Sequence, residues 1–138
     1  MAEFTNVLAQ QVDVNDNVRF AETPVRGTKC IIHREGSGIV TIKGMTEQCF
    51  AKFRVKFTGN IAAVTAAGTI SIAIAMNGEE IDASTMIARP AAAAQYFNVS
   101  SEIIVCVPKC CCYTLSVKNV SDQSINVQNA NLIVERVA

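Results

Sequence analysis

The chain has 138 residues, of which 50% are hydrophobic and 17% are charged. This composition excludes an intrinsically disordered chain, and the length predicts one domain over residues 1–138. Twelve basic and twelve acidic residues cancel, so no net charge attracts nucleic acid or an anionic membrane, and we expect neither as a partner.

High hydrophobicity with formal neutrality gives weak protection against self-association, so we expect an obligate oligomer. The start of the chain, Met1 to Asn6, has no basic cluster and no apolar run of signal-peptide length. No continuous stretch reaches the roughly 20 apolar residues of a membrane span. We therefore expect synthesis in the cytoplasm.

The first half of the chain reads as short strands. An apolar run at residues 5–10 predicts an edge strand, and residues 23–27, with Pro24 and Gly27, predict a loop. The segments 30–34 and 39–43 flank a glycine loop and predict a hairpin.

The segment from Cys49 to Phe57 alternates strictly between apolar and mostly charged positions. Successive side chains of a strand point to opposite faces of the sheet, so this pattern predicts a half-buried strand, which Gly59-Asn60 ends.

The second half continues the pattern. Residues 70–76 alternate and lead into Asn77-Gly78, the strongest short signal for a two-residue hairpin. Ser84 to Arg89 predicts a strand that Pro90 stops, and Ala91 to Ala94 fits either a helical turn or a tight loop.

Three further strands are predicted at residues 96–107, 113–118 and 125–137, the last with a bulge near residues 129–131. About eight to ten strands, turn signals every ten residues or so and no segment of helical period predict an all-β sandwich or jelly roll.

The order of these strands resembles the jelly-roll domain of the tumour necrosis factor and complement globular-head superfamily. The resemblance covers the whole chain, from the strand at Leu8-Ala9-Gln10 through the glycine hairpin and residues 50–57 to the last strand at 125–137. It implies a compact homotrimer around a threefold axis.

Two stretches, 33–38 and 126–136, look like proteins of Gram-positive gut bacteria and their phages. The resemblance implies a structural virion protein, a capsid-decoration or head-fibre trimer on the virion surface that binds the major capsid protein or another virion surface. The chain has no collagen-like stalk, unlike fibrous relatives. The alternative is a receptor- or carbohydrate-binding head of a bacterial or spore surface protein.

Residues suited to chemistry are few, and we predict no enzyme, catalytic residue, cofactor or bound metal. His33, the single histidine, would need a nucleophile and an orienting partner to act as a general base, and no serine lies in a nucleophile elbow. A strand or hairpin histidine that makes a hydrogen bond is the favoured interpretation.

The six cysteines allow three interpretations. Cys106 and Cys110 have the spacing of one pair of zinc ligands, which His33 could help to complete. Consecutive Cys110, Cys111 and Cys112 could instead each reach a different strand in a disulfide. Reduced, partly buried thiols that behave as small apolar residues are the favoured interpretation.

Two charged groups are weighed in the same way. Glu79, Glu80 and Asp82 beside the Asn77-Gly78 turn could hold calcium, although a solvated hairpin tip is more usual. A basic stripe of Lys52, Arg54 and Lys56 fits either an acidic partner or a solvated outer face.

Small and aromatic side chains suggest where another chain approaches. The predicted interface residues are Ser71, Ala73, Ala75, Tyr96, Phe97, Leu132 and Val134. Close packing within the sandwich is an equal alternative for the small residues.

Overall fold

The computed structural model describes residues 1–27, 29–65 and 67–138. In these ranges the chain forms twelve strands and one turn of 3-10 helix at Asp82–Ser84. The strands are β1 Ala2–Asn6, β2 Gln10–Val12, β3 Glu22–Val25, β4 Ile31–His33, β5 Val40–Lys43, β6 Phe50–Ala63, β7 Ile70–Met76, β8 Glu79–Glu80, β9 Met86–Ala88, β10 Phe97–Pro108, β11 Cys112–Asn119 and β12 Ile125–Arg136. Within the described ranges no helix is long and apolar enough to cross a membrane.

The strands form two antiparallel sheets. The first sheet has the order β10-β6-β12-β1-β3, with β2 also paired to β12. The second has the order β4-β5-β11-β7-β8, with β9 also paired to β7. Both sheets turn an apolar face inward and together enclose the core, so the predicted all-β sandwich is confirmed.

The long strand β6 shows how the sequence pattern becomes a sheet. Phe53, Val55 and Phe57 are fully buried, whereas Lys52 and Arg54 on the alternate face are exposed. The predicted end of this strand at Gly59-Asn60 is wrong, because β10 and β12 pair with β6 on its two sides as far as Ile61 and Ala63.

The core contains large side chains from both sheets. Those with under 2% exposure are Phe4, Phe20, Phe53, Phe57, Ile42, Ile61, Ile70, Ile72, Ile74, Leu115, Ile125 and Leu132. The rings of Phe20 and Phe57 meet edge to face with centroids 6.5 Å apart. Each such side chain contributes roughly 1.5–3 kcal/mol by leaving water, so this layer holds the two sheets together.

The predicted turns are largely confirmed. β4 and β5 pair as a hairpin around the glycine loop. Asn77 and Gly78 adopt φ values of 54° and 86° between β7 and β8, as a two-residue hairpin requires. The β12 register shifts between Gln128 and Asn131, which is the predicted bulge.

Some element predictions need correction. The loop predicted at residues 23–27 is partly strand β3, which pairs with β1. The first strand is Ala2–Asn6 and not residues 5–10. Ala91 to Ala94 form a tight loop, in which Ala94 donates a backbone hydrogen bond of 3.0 Å to the carbonyl of Ala63.

Candidate functional site

A cavity of about 440 Å³ opens where the edge strand of each sheet ends, between β3 and β4. Its lining residues are Phe4, Thr23, Arg26, Gly27, Ile31, Ile32, His33 and Glu35. The volume lies within the range of small-molecule sites, about 300–1,000 Å³. The exposed side chains of Arg26 and Glu35 bring opposite charges to its walls. These charges cancel, so the lining does not favour a ligand of either charge.

His33 is held by packing and by one hydrogen bond. Its ring centroid lies 4.5 Å from that of Phe4 and 6.4 Å from that of Phe20. Its Nε2 lies 2.8 Å from the carbonyl oxygen of Ser37. A carbonyl only accepts, so Nε2 carries a proton, and in the neutral form of the ring Nδ1 is an acceptor. The predicted hydrogen-bonding hairpin histidine is confirmed.

Two residues of this cavity carry buried polar atoms without a protein partner. Within the described ranges, Nδ1 of His33 and Oγ1 of Thr23 have no hydrogen-bond partner. Buried polar groups in folded proteins are nearly always paired. Both atoms have almost no accessible surface, so a polar ligand in the cavity would reach them only after a small movement of the lining side chains.

The contacts of His33 give no nucleophile–base pair. The imidazole meets the carbonyl of Ser37, while the hydroxyl of Ser37 accepts the backbone N–H of Ile39 at 3.0 Å. A general base needs the hydroxyl itself within reach, so this arrangement does not activate Ser37.

The basic stripe lies on the outer face of the first sheet and is partly neutralised. Arg54 donates to Glu102 at 2.9 Å and approaches Glu135 at 3.5 Å, with all three side chains about half exposed. Exposed pairs of this kind contribute under about 1 kcal/mol each. These ion pairs hold the charged side chains of the face in place and contribute little to the stability of the fold.

The acidic cluster does not form a cation site. Glu80 lies 3.7 Å from Lys118 and the neighbouring Glu79 and Asp82 are exposed. In residues 1–27, 29–65 and 67–138 no group of three or more His, Cys, Asp or Glu side chains is placed to hold a metal ion.

The cysteines differ from the favoured expectation. All six are free, so the alternative of disulfides within the chain is not seen. Only Cys30 is buried, and its sulfur lies 3.6 Å from Nη1 of Arg136. The expectation of partly buried thiols is wrong for the other five, because they lie at strand ends and in a turn and not in the core.

The seven predicted interface residues separate into two groups. Ala73, Ala75, Leu132 and Val134 are at most 1% exposed in the single chain and have almost no surface to offer. Ser71 is half-buried, and Tyr96 and Phe97 are 40% and 42% exposed. The interface itself stays a prediction, and only these last three residues remain available for it.

Sequence reasoning missed the cavity. Thr23, Arg26 and Glu35 come from a predicted loop and a hairpin turn, and no local pattern relates them to Phe4. The one sequence feature that pointed to this region was His33. Its hydrogen bond was predicted, but its contact with Phe4 from the other sheet was not.

The comparisons with known proteins give a fold and no closer relative. No protein-family model and no curated protein matches the sequence. Among solved structures, the globular domain of zebrafish complement 1qA protein aligns over 96% of this chain and 94% of its own, with a TM-score of 0.63 and 9% identity. The fold is a jelly roll of this type. Murine APRIL aligns over 97% and 98% of the two chains, with a TM-score of 0.56 and 10% identity.

Proposed function

We propose that the chain is a non-enzymatic head domain that assembles as a homotrimer and decorates a phage virion, bound to the major capsid protein or another virion surface. The observation that supports it is the jelly roll itself, which accounts for nearly the whole chain. The strand order, which resembles that of complement and tumour necrosis factor heads, suggests the trimer, and residues 33–38 and 126–136, which look like phage proteins, suggest the virion.

The outer face of the first sheet supports self-association. Ile104 is 53% exposed and stands opposite Arg54, while Phe50 is 50% exposed and stands opposite Pro108. Large apolar side chains on one flat face are typical of surfaces that another protein covers. The ion pairs of Arg54 beside them would fix the orientation of that partner.

The native mass of the purified chain tests the trimer. We expect three chains of 14.8 kDa each. Ile104→Lys places a charge beside Arg54 and should shift the mass towards one chain, whereas Ile39→Lys, at an exposed position just before β5 of the second sheet, should leave it unchanged. A wild-type monomer would overturn the trimer.

Capsid binding is tested separately. Trimer at micromolar concentration is mixed with capsids that lack it, and sedimentation of the capsids should carry the protein down at a fixed ratio to the major capsid protein. A trimer that stays in the supernatant of every capsid preparation from its host would overturn the virion assignment and leave the fold and assembly intact.

A receptor- or carbohydrate-binding head is the second candidate, and the cavity between β3 and β4 is the observation that favours it. The hydroxyl of Thr23, the Nδ1 acceptor of His33, and the opposite charges of Arg26 and Glu35 suit a neutral ligand rich in hydroxyls. Each hydroxyl of such a ligand both donates and accepts, as this set of groups requires.

The single histidine provides a direct test of this second candidate. Long-range ¹H–¹⁵N NMR spectra of the imidazole are recorded during titration with a panel of monosaccharides. A ligand that donates to Nδ1 shifts that nitrogen, and Thr23→Val should weaken the binding while Thr58→Val, on the outer face of the first sheet, should not. Unchanged imidazole signals across the panel would refute it.

A further inference from the structure

Five cysteine thiols are exposed at one end of the sandwich. They are Cys49 just before β6, Cys106 near the end of β10, and Cys110, Cys111 and Cys112 in the turn that leads into β11. Cysteine is among the residue types most often buried in folded proteins. Exposure of five from six at one end therefore requires a physical explanation.

In the strand register, neither Cys106 nor Cys112 stands opposite another cysteine. Cys106 stands opposite Lys52, and Cys112 stands opposite Lys43. The carbonyl of Cys49 accepts the backbone N–H of Lys109 at 2.9 Å, which places Cys49 close to the turn. A disulfide needs two Cα atoms about 4.4–6.8 Å apart with converging side chains, and in the part of the chain described none is formed.

The tip of the turn is held rigidly by the backbone. Cys110 donates its N–H to the carbonyl of Gly44 at 3.1 Å, and the N–H of Gly44 is bonded to the carbonyl of Cys111 at 2.8 Å. Cys110 has a φ of 64°, a left-handed conformation in which Gly or Asn is the usual residue. A fixed turn presents its thiols at constant positions, which favours reaction with an equally fixed partner.

The surface beside the turn carries charges of both signs. A shallow depression there is lined by Met45, Glu47, Lys109, Cys110 and Arg136, with Gly44 and Thr46. Acidic Glu47 and basic Lys109 share its rim, and Met45 adds an apolar side chain that is 48% exposed. Two copies related by a twofold axis would bring Glu47 of each against Lys109 of the other.

We propose that the turn Cys110-Cys111-Cys112 is a cross-linking site that forms disulfide bonds with the same turn of a second copy of this chain. With three consecutive thiols in each copy, a disulfide can form between several different pairs, so the two turns need not meet in a single exact alignment. Each bond joins one sulfur from each copy, and the two protons and two electrons pass to an oxidant: dioxygen becomes hydrogen peroxide, or oxidised glutathione becomes two glutathione thiols. The proposal does not rest on the trimer, since single chains and trimers would both be linked at this end.

Oxidation in competition with a small thiol tests the specificity. The full-length protein is reduced, then held in air in excess reduced and oxidised glutathione, alkylated, and separated without reductant. A surface thiol without a fixed partner ends as a thiol or as a glutathione mixed disulfide. We expect chain pairs at twice the 14.8 kDa chain mass, with peptide mapping placing the bond between residues 110–112 of both copies. Mixed disulfides alone, or bonds at other cysteines, would overturn the proposal.

Variants separate the turn from the other exposed thiols. Cys110→Ser/Cys111→Ser/Cys112→Ser should abolish the pairs, and the matched control Cys49→Ser/Cys106→Ser should retain them. Thermal unfolding of both variants checks that they fold.

A charge exchange tests the surface independently of the sulfurs. Glu47→Lys places like charges against Lys109 of the second copy and should lower the yield of pairs at least fivefold. Addition of Lys109→Glu to that variant restores opposite charges and should restore the yield. An unchanged yield in Glu47→Lys, or no recovery in the double variant, would overturn the twofold contact.

Discussion

Asn119 connects three segments of the chain and gives the sharpest test of how the sandwich is closed. Its side chain is fully buried at the end of β11. The amide donates to the carbonyls of Val12 and Gln123, both at 3.0 Å, and the amide oxygen accepts the backbone N–H of Ser121 at 3.0 Å. The hydroxyl of Ser121 also donates to the amide oxygen. The substitution Asn119→Ala removes all four bonds and leaves their partners in place.

The magnitude follows from counting the groups left without a partner. The hydroxyl of Ser121 already lies 3.2 Å from the carbonyl of Gln123 and keeps it paired. The carbonyl of Val12 and the N–H of Ser121 lose their partner, and each such buried group costs about 1–3 kcal/mol. We expect Asn119→Ala to lower the free energy of unfolding by about 4 kcal/mol, a large share of the roughly 5–15 kcal/mol of a typical domain.

Urea unfolding followed by circular dichroism, at one fixed protein concentration, measures this loss. The matched control is Asn98→Ala, because the amide of Asn98 is exposed and donates to Asn60 at 3.1 Å. We expect the control to change the unfolding free energy by under about 0.5 kcal/mol. Values for the two variants within about 1 kcal/mol of each other would refute the reasoning.

Three further outcomes test the core, the turns and the thiols. Phe57→Ala should lower the unfolding free energy by about 3–5 kcal/mol, whereas Leu8→Ala, at a position 79% exposed in the wild-type chain, should change it by under about 1 kcal/mol; equal losses would contradict the assigned burial. Gly78→Ala should cost about 1 kcal/mol in urea unfolding, since only the positive φ of 86° opposes it. Gly44→Ala should cost more, because the new Cβ would meet a backbone carbonyl of β10; the reverse order would be inconsistent with this packing. Iodoacetamide should label five cysteines of the folded chain within minutes and Cys30 only after unfolding, as mass spectrometry can show; rapid labelling of all six would contradict the burial of Cys30.

The sheets could be predicted because alternation and turn chemistry are local. In β6 the charged residues at alternate positions fix which face is inward, so Phe53 and Val55 had to enter the core. Asn77-Gly78 determined its hairpin because both residues accept a positive φ. The same alternation gives no sheet order, and the resemblance implied the jelly-roll class without a strand pairing.

The errors arise where pairing is decided by distant segments. Strand β3 contains Pro24 and pairs with β1 at only two aligned positions around a register shift, so no periodicity shows in its sequence. Small residues on β7 fitted contact with another chain and close packing within the sandwich equally. Ala73 and Ala75 are fully buried in the single chain, with Lys118 opposite Ala73 and Glu80 opposite Ala75. These two flanking side chains form an ion pair and belong to the same chain.

The candidate site was the least predictable part. A cavity between two edge strands depends on how the two sheets are placed relative to each other. That placement is determined by residues far apart in the chain, so no local sequence pattern predicts it. The cysteines are evident in the sequence, but their exposure could not be predicted because it depends on where β6, β10 and β11 begin and end.

The order of the first sheet has a consequence for the way the chain folds. Strand β12 pairs with β6 on one side and β1 on the other, although it follows both in the sequence. Until residues 125–136 leave the ribosome, β1 and β6 each keep an unpaired edge, and unpaired edges recruit strands from neighbouring chains. The first sheet is therefore completed when β12 inserts between β1 and β6. A synthetic peptide with the β12 sequence, added before this step, would compete for the same position as a donor strand.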